Sequence, residues 1–246
     1  MIRPTPVLLL AVLALGACRA PAHPVAARPS ASLSPSPSIS VLPPTTAPVK
    51  PVISKAGLAY FNTVALGVAT GDKYSVVTKW TLPVVTVRVQ GGDARARTCV
   101  NTVIADFNAL TATSDLRLSA NPADIEVHLA PVSKFKSLLP QYESGNDGWV
   151  NVQWSRLHYI TGATVLVRST GNNATDRCHL LREQLTEGMG LLGATKKYRS
   201  SIFYGEYYPT VTKYSAIDKE VIRLLYSEAV QPGDDKARVR ASVTVK

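Results

Sequence analysis

The sequence predicts an α+β domain, a small mixed β-sheet with helices packed on it. Three observations lead there. "KWTLPVVTVRVQGG" (79–92) alternates apolar and polar residues as a half-buried strand does, with Val85, Val87 and Val89 on one face. "ARTCVNTVIADFNALTATS" (96–114) repeats apolar residues three and four apart, at Val100, Val103, Ile104, Phe107 and Leu110, the stripe of an amphipathic helix. Further strands then follow one another before two closing helices, an order that suits helices laid on a sheet rather than a strictly alternating plan.

The elements follow in order. "LAYFNTVALG" (58–67) is a short apolar element at the domain entrance, and Gly91-Gly92 ends the first strand. After the helix at 96–114 come a strand at 116–119, a turn at Asn121-Pro122 and a strand at 124–130. In the latter, Ile125, Val127 and Leu129 face one way and Glu126 and His128 the other. "VSKFKSLLPQY" (132–142) is a short helix or loop, and "ESGNDGWVNVQW" (143–154) a turn and a strand. "ATVLVRST" (163–170) is mostly apolar, as a central strand is. "GNNAT" breaks the chain, and Asn173 or Thr175 caps a helix over about 176–190. A second amphipathic helix spans 214–230, capped by Ser215, buried along Ile217, Val221, Leu224 and Leu225, and ended by Pro232-Gly233.

What precedes this domain has another composition. Met1-Ile2-Arg3 followed by "VLLLAVLALGAC" joins a positive charge, a short apolar run and small residues, the pattern of a secretory signal over 1–17. "LGAC" ending at Cys18 resembles a bacterial lipobox, which would make Cys18 the lipidated residue; an ordinary signal peptide with a chance cysteine is the plainer alternative. Residues 18–55 hold nine of the 17 prolines and no acidic residue, too little apolar surface to offset chain entropy, and so read as an extended tether. The expected layout is a lipid anchor at a membrane, a tether and a domain over 56–246, exported and held in the cell envelope. Arg19 is not an aspartate retention signal, which favours an outer membrane or cell surface.

Net charge is +10, of which five positive charges precede residue 56, leaving the domain at +5. That suits an anionic envelope surface, but no basic cluster with interleaved aromatics points to nucleic acid. With Cys18 taken by lipid, Cys99 and Cys178 form an even pair in an exported domain, and a disulfide is the default; two unpaired thiols are the alternative.

The chemistry-bearing stretch is "LREQLTEGMGLLG" (181–193). Leu181, Leu185, Met189 and Leu192 fall near one helical line and face the core. His179, Glu183 and Glu187, four apart, share another line. They could hold a divalent cation or equally form a solvated polar stripe. Gly188 and Gly190 weaken a helix interior, so close packing of another backbone or a sharp exit at Gly190 or Gly193 is expected. Two carboxylates one turn apart on one helix cannot flank a sugar from two sides, and no G-x-S-x-G elbow occurs.

"RCHLLREQLTEGMGLLG", "SSIFYGEYY" and "YSAIDKEVIRLLYSEAVQPGD" resemble the bacterial domain of unknown function 2927, a family similar to metzincin metalloproteases of the matrixin kind. "PVVTVRV", "VIADFNAL", "ADIEVHLAP" and "YESGNDGWVN" extend the resemblance over roughly 80–235. It implies a metzincin-like fold with a degenerate active-site helix. The first two ligand histidines of the metzincin pattern fall on Glu183 and Glu187, the catalytic glutamate on Gln184, the glycine on Gly190 and the third histidine near Gly193. "SIFY" (201–204) lies where that pattern has its Met-turn, with Phe203 for the methionine, and no histidine lies downstream of His179.

Hard oxygen donors suit calcium, magnesium or manganese better than zinc, and Gln184 cannot act as a general base. No cofactor is therefore expected, a divalent metal at His179, Glu183 and Glu187 being the alternative. The expected role is binding or scaffolding of an envelope protein, peptide or glycan in the relict cleft, walled by Phe203, Tyr204, Tyr207 and Tyr208. An atypical metallopeptidase-like hydrolase with a carboxylate-based site, drawing on Glu183, Gln184 and Glu187, is the second expectation.

Overall fold

The computed structural model describes residues 49–66, 75–206 and 210–246. Cys18, the signal and tether expected up to residue 48, and Tyr207 and Tyr208 lie outside the described residues. The domain is α+β, as the sequence predicts. Its sheet runs through β2 (Val84–Gly91), β3 (Asp115–Leu118), β4 (Ile125–Ala130), β5 (Gly148–Trp154) and β6 (Ile160–Arg168), in the order β3-β2-β4-β6-β5. β2, β3, β4 and β6 pair in parallel; β5 is antiparallel to β6 and forms one edge. Val85, Val87, Ile125, Val127, Val165 and Val167 are wholly buried, so the alternating residues of β2 and β4 face the core as their period requires. β6 lies inside the sheet, which is why its run is nearly continuous in apolar residues.

Helix α2 (Ala94–Asn108) and helix α4 (Ala174–Glu187) share one face of the sheet. Asp93 caps α2 by accepting from Ala96 N at 2.8 Å. Cys99 and Cys178 form the expected disulfide, with Cα atoms 5.7 Å apart, and it ties α2 to α4. On the other face a short turn (Val132–Lys134) and α3 (Phe135–Leu138) set Phe135, Leu139 and Tyr142 against Leu166 and Trp149. Among the described residues no helix is long and apolar enough to cross a membrane.

Several boundaries differ from expectation. The entrance element is helix α1 (Lys55–Val64), capped by Ser54, and β1 (Val52–Ile53) pairs in parallel with β7 (Thr244–Val245). Residues 52–55, expected in the tether, thus belong to the fold, stitched to the far end of the chain. α5 (Ala216–Leu225) is shorter than its periodicity suggested, and α6 (Lys236–Ser242), capped by Asp235, follows it. Lys79 is not in a strand. It is buried, its Nζ donates to Val230 O at 3.0 Å, and burial pulls its pKa down to about 8.

Candidate functional site

Asn173 starts α4 by accepting from Thr175 N at 2.8 Å and Asp176 N at 3.0 Å, and Asp176 in the first turn complements the helix dipole. Leu181, Leu185 and Met189 are buried on the line drawn from the sequence, and Leu192 is partly buried. The helix ends at Glu187. Gly190 has φ +99°, and a Cβ there would lie 2.1 Å from the carbonyl oxygen of Thr78. Both expectations for this glycine hold at once: a sharp exit and another backbone in close contact. Trp80 Nε1 donates to Gly188 O at 3.0 Å, and the Tyr226 hydroxyl to Met189 O at 2.8 Å, locking the exit.

At the other side of α4 a groove of about 460 Å³ runs along β5. Trp149, Asn151 and Trp154 line it from the strand, Glu143 from the preceding turn, and Gln184 and Glu187 from α4. Gly148 allows this approach, because a Cβ on it would fall 2.9 Å from Gln184 Cγ. The groove residues on β5 were not picked out from the sequence. The one signal is "GWVNVQW", a strand whose two faces mix apolar and polar residues, as an edge strand does.

Glu183 and Glu187 are half-buried, with 18% of the Glu183 side chain exposed. Burial pushes the Glu183 carboxyl up to about 8, against a smaller opposing effect of its hydrogen bond with Gln184. Burial also drives Glu187 well above the usual carboxylate range, and the neighbouring Glu183 charge adds to the rise. His179 is buried. Its Nδ1 donates to Val211 O at 2.7 Å, its Nε2 lies 3.5 Å from Glu183 Oε2, and burial lowers its pKa.

Among the sequence-based placements, those of Phe203 and Tyr204 differ in the structure. His179, Glu183 and Glu187 share a helical line, yet among the described residues no group of three or more His, Cys, Asp or Glu side chains is arranged to hold a metal ion. Glu187 lines the groove, whereas His179 and Glu183 do not. Phe203 does not wall the cleft but is buried in the main core, where an apolar ring lies best. Tyr204 is also absent from the groove lining and donates to Glu206 Oε2 at 2.9 Å. The zinc centre that the metzincin resemblance implies does not fit this donor set, since carboxylates, an amide and Gly193 stand where imidazoles and a base are required.

The residue that anchors the 201–203 segment went unnoticed in the sequence. Asp218, in the first turn of α5, is 0% exposed and accepts from Ser201 Oγ (2.6 Å), Ile202 N (3.3 Å), Ser215 N (2.9 Å) and Ser215 Oγ (2.8 Å). Ser201 in turn meets the Tyr60 hydroxyl of α1. Burial raises the Asp218 pKa and these donors offset part of the rise.

These features define a class: an α+β domain with an edge-strand groove over a helix that carries acids and an amide. The chain belongs to the family described as Protein of unknown function (DUF2927), whose model matches residues 55–245. The structure is also similar to two solved structures of myroilysin, at 11% and 12% identity and a TM-score of 0.39 each. The matches cover 61% of this chain and 83% and 86% of the myroilysin chains. No curated protein matches the chain.

Proposed function

We propose that this chain is a cell-envelope lipoprotein whose domain binds an extended partner segment in the groove beside β5 without catalysing a reaction there. The lipid is carried by Cys18 and the proline-rich segment up to Pro51 holds the domain off the membrane. The apolar run ahead of Cys18, the proline-rich composition and the Cys99–Cys178 disulfide support export, since disulfides persist in oxidising compartments. Replacing Cys18 by Ser should abolish incorporation of labelled fatty acid; retained label would refute the anchor.

The observation that carries the binding reading is the groove along the free side of β5, which pairs only with β6 among the described residues. An extended peptide can add to such an edge through main-chain hydrogen bonds. Trp154, 39% exposed, offers a flat apolar face to a side chain or a sugar ring, while Trp149, packed against Tyr142, borders the groove at the sheet edge. Gln184 and Glu187 supply polar contacts, an amide and a carboxyl that burial biases toward its neutral form. Peptides selected by display on the full chain should bind Trp154→Ala at least about tenfold more weakly. Selected peptides that bind the variant as tightly as the parent would overturn this reading.

A second reading is an atypical metallohydrolase on Glu183 and Glu187. What favours it is that the two carboxyls are close enough to disturb one another, as ligands of one hard cation would be. A stoichiometric calcium, magnesium or manganese ion lost in Glu183→Ala and Glu187→Ala would replace the binding reading with this one. A metal-free, fully folded protein would end it.

A further inference from the structure

Arg182 lies on α4 with 1% of its surface exposed. Its Nη2 donates to Asp106 Oδ2 at 2.7 Å, and its guanidinium stacks 4.5 Å from the centre of the Tyr214 ring. Its Nε and Nη1 are buried without a hydrogen-bond acceptor. A guanidinium does not deprotonate in a protein, so this is a permanent buried charge with two donors unmatched. A buried donor left unmatched loses its solvation without compensation, and one that persists in a folded protein asks for an acceptor.

A second, independent observation says what that acceptor is. Arg182 lines a groove of about 850 Å³ between α2, α4 and α5. The other charged residues lining it are Arg95, Lys213, Lys219 and Arg223, with Asp106 the one carboxylate. Five cations thus converge from three helices and the 212–214 segment onto one concavity, a concentration of positive charge that attracts an anion. Cys99 and Cys178 also line it, so their disulfide fixes α2 against α4 and the concavity is held open in advance. This groove shares no lining residue with the one beside β5.

We propose that this groove is a binding site for a ligand carrying at least two oxyanion groups, phosphate or carboxylate. Arg182 is its buried anchor, and Arg95, Lys213, Lys219 and Arg223 neutralise the remaining charge. Asp106, whose side chain is 44% exposed, holds Nη2 in the free protein and yields it to the ligand by swinging toward solvent. Planar, forked donors match both phosphate and carboxylate, and the volume exceeds the needs of a single small anion.

The test titrates the full chain with pyrophosphate and with citrate at low salt by calorimetry. Saturable one-site binding of either supports the site; pyrophosphate alone identifies phosphate chemistry and citrate alone carboxylate chemistry. Neither binding overturns it. The double substitution Lys219→Ala with Arg223→Ala, on the solvent side, should weaken binding at least about tenfold, whereas Lys236→Ala, at the start of α6, should leave it unchanged. Equal affinity in the double variant would place the anion elsewhere and refute the proposal. Asp106→Asn should tighten binding about threefold or more by removing the competing charge; weaker binding would refute the exchange. Arg182→Lys, if it folds, should lose at least about tenfold, and unchanged affinity would remove Arg182 as anchor. If it does not fold, the rim variants decide.

Discussion

The imidazole of His179 and the carboxyl of Glu183 face each other one helical turn apart, Nε2 to Oε2 at 3.5 Å, as a neutral pair rather than an ion pair. A carbonyl oxygen only accepts, so the bond to Val211 O puts the imidazole proton on Nδ1 and makes Nε2 the acceptor nitrogen that faces Glu183. Burial lowers the His179 pKa and lifts Glu183 to about 8, so at neutral pH the proton sits on the carboxyl. A helix face that reads as a charged stripe in sequence is uncharged here in the fold.

The pH dependence follows. An unfolded glutamate releases its proton near pH 4.3, whereas folded Glu183 keeps it to about 8. Between those values the native chain holds a proton that the unfolded chain has lost, so stability falls as pH rises through the window. Glu183→Gln removes this dependence. The variant should match the parent near pH 4 and exceed it by about 2–4 kcal/mol at pH 8, the coupling to Glu187 lowering the full value. Urea denaturation at the two pH values measures it, and a difference that does not change with pH would refute the neutral pair.

Gly190→Ala should destabilise strongly. The added Cβ meets a backbone oxygen at 2.1 Å, which has no flexible end to move aside, and the φ of +99° already strains any side chain. A loss of about 3 kcal/mol or more is expected by thermal or urea unfolding. A loss under about 1 kcal/mol would mean that the helix exit can slide away from Thr78.

The sheet and the helices were legible because their periods are local. Val85 and Val87 alternate within one strand, and Leu181, Leu185 and Met189 recur along one helix, so each segment states its own face. What depends on distant partners was not legible. β1 and β7 are two residues each, too short for any period, and exist only because they pair across the chain. Asp218 reads as an ordinary first-turn acid, yet its donors come from Ser215, Ser201 and Ile202, and a link through Ser201 reaches Tyr60 on α1. Arg182 sits among residues that could pair with the glutamates beside it and instead turns to Asp106. At the candidate site the helix, Gln184 and Glu187 were legible, but the groove's other wall is β5, whose exposed face no spacing rule singles out.

The disulfide closes a long loop, with Cys99 and Cys178 separated by 79 positions. Restricting that much unfolded chain is worth about 4.5 kcal/mol by loop entropy, of which measured bridges usually return about 2–4 kcal/mol. Cys99→Ser with Cys178→Ser should therefore lower stability by about 2–4 kcal/mol, as should reduction of the parent protein. The unreduced, unfolded parent should show no free thiol from these two residues. Two would refute the bridge.

Asp218 makes the sharpest structural prediction, because its two oxygens face different kinds of donor. Oδ2 receives the backbone N–H groups of Ser215 and Ile202, which can only donate. Oδ1 receives the hydroxyls of Ser201 and Tyr60, which can rotate and accept instead. An asparagine can therefore place its oxygen at the Oδ2 position, which keeps both N–H groups paired, and its NH2 toward the hydroxyls, which leaves one hydroxyl proton of the Ser201–Tyr60 pair without its acceptor. Asp218→Asn should cost about 1–2 kcal/mol, for the one stranded hydroxyl proton, whereas Asp218→Ala also strands two N–H groups in the interior and should cost about 3–4 kcal/mol. Urea midpoints of the two variants give the comparison. If Asn were as damaging as Ala, the negative charge and not the pattern of donors would be holding the 201–203 segment to α5.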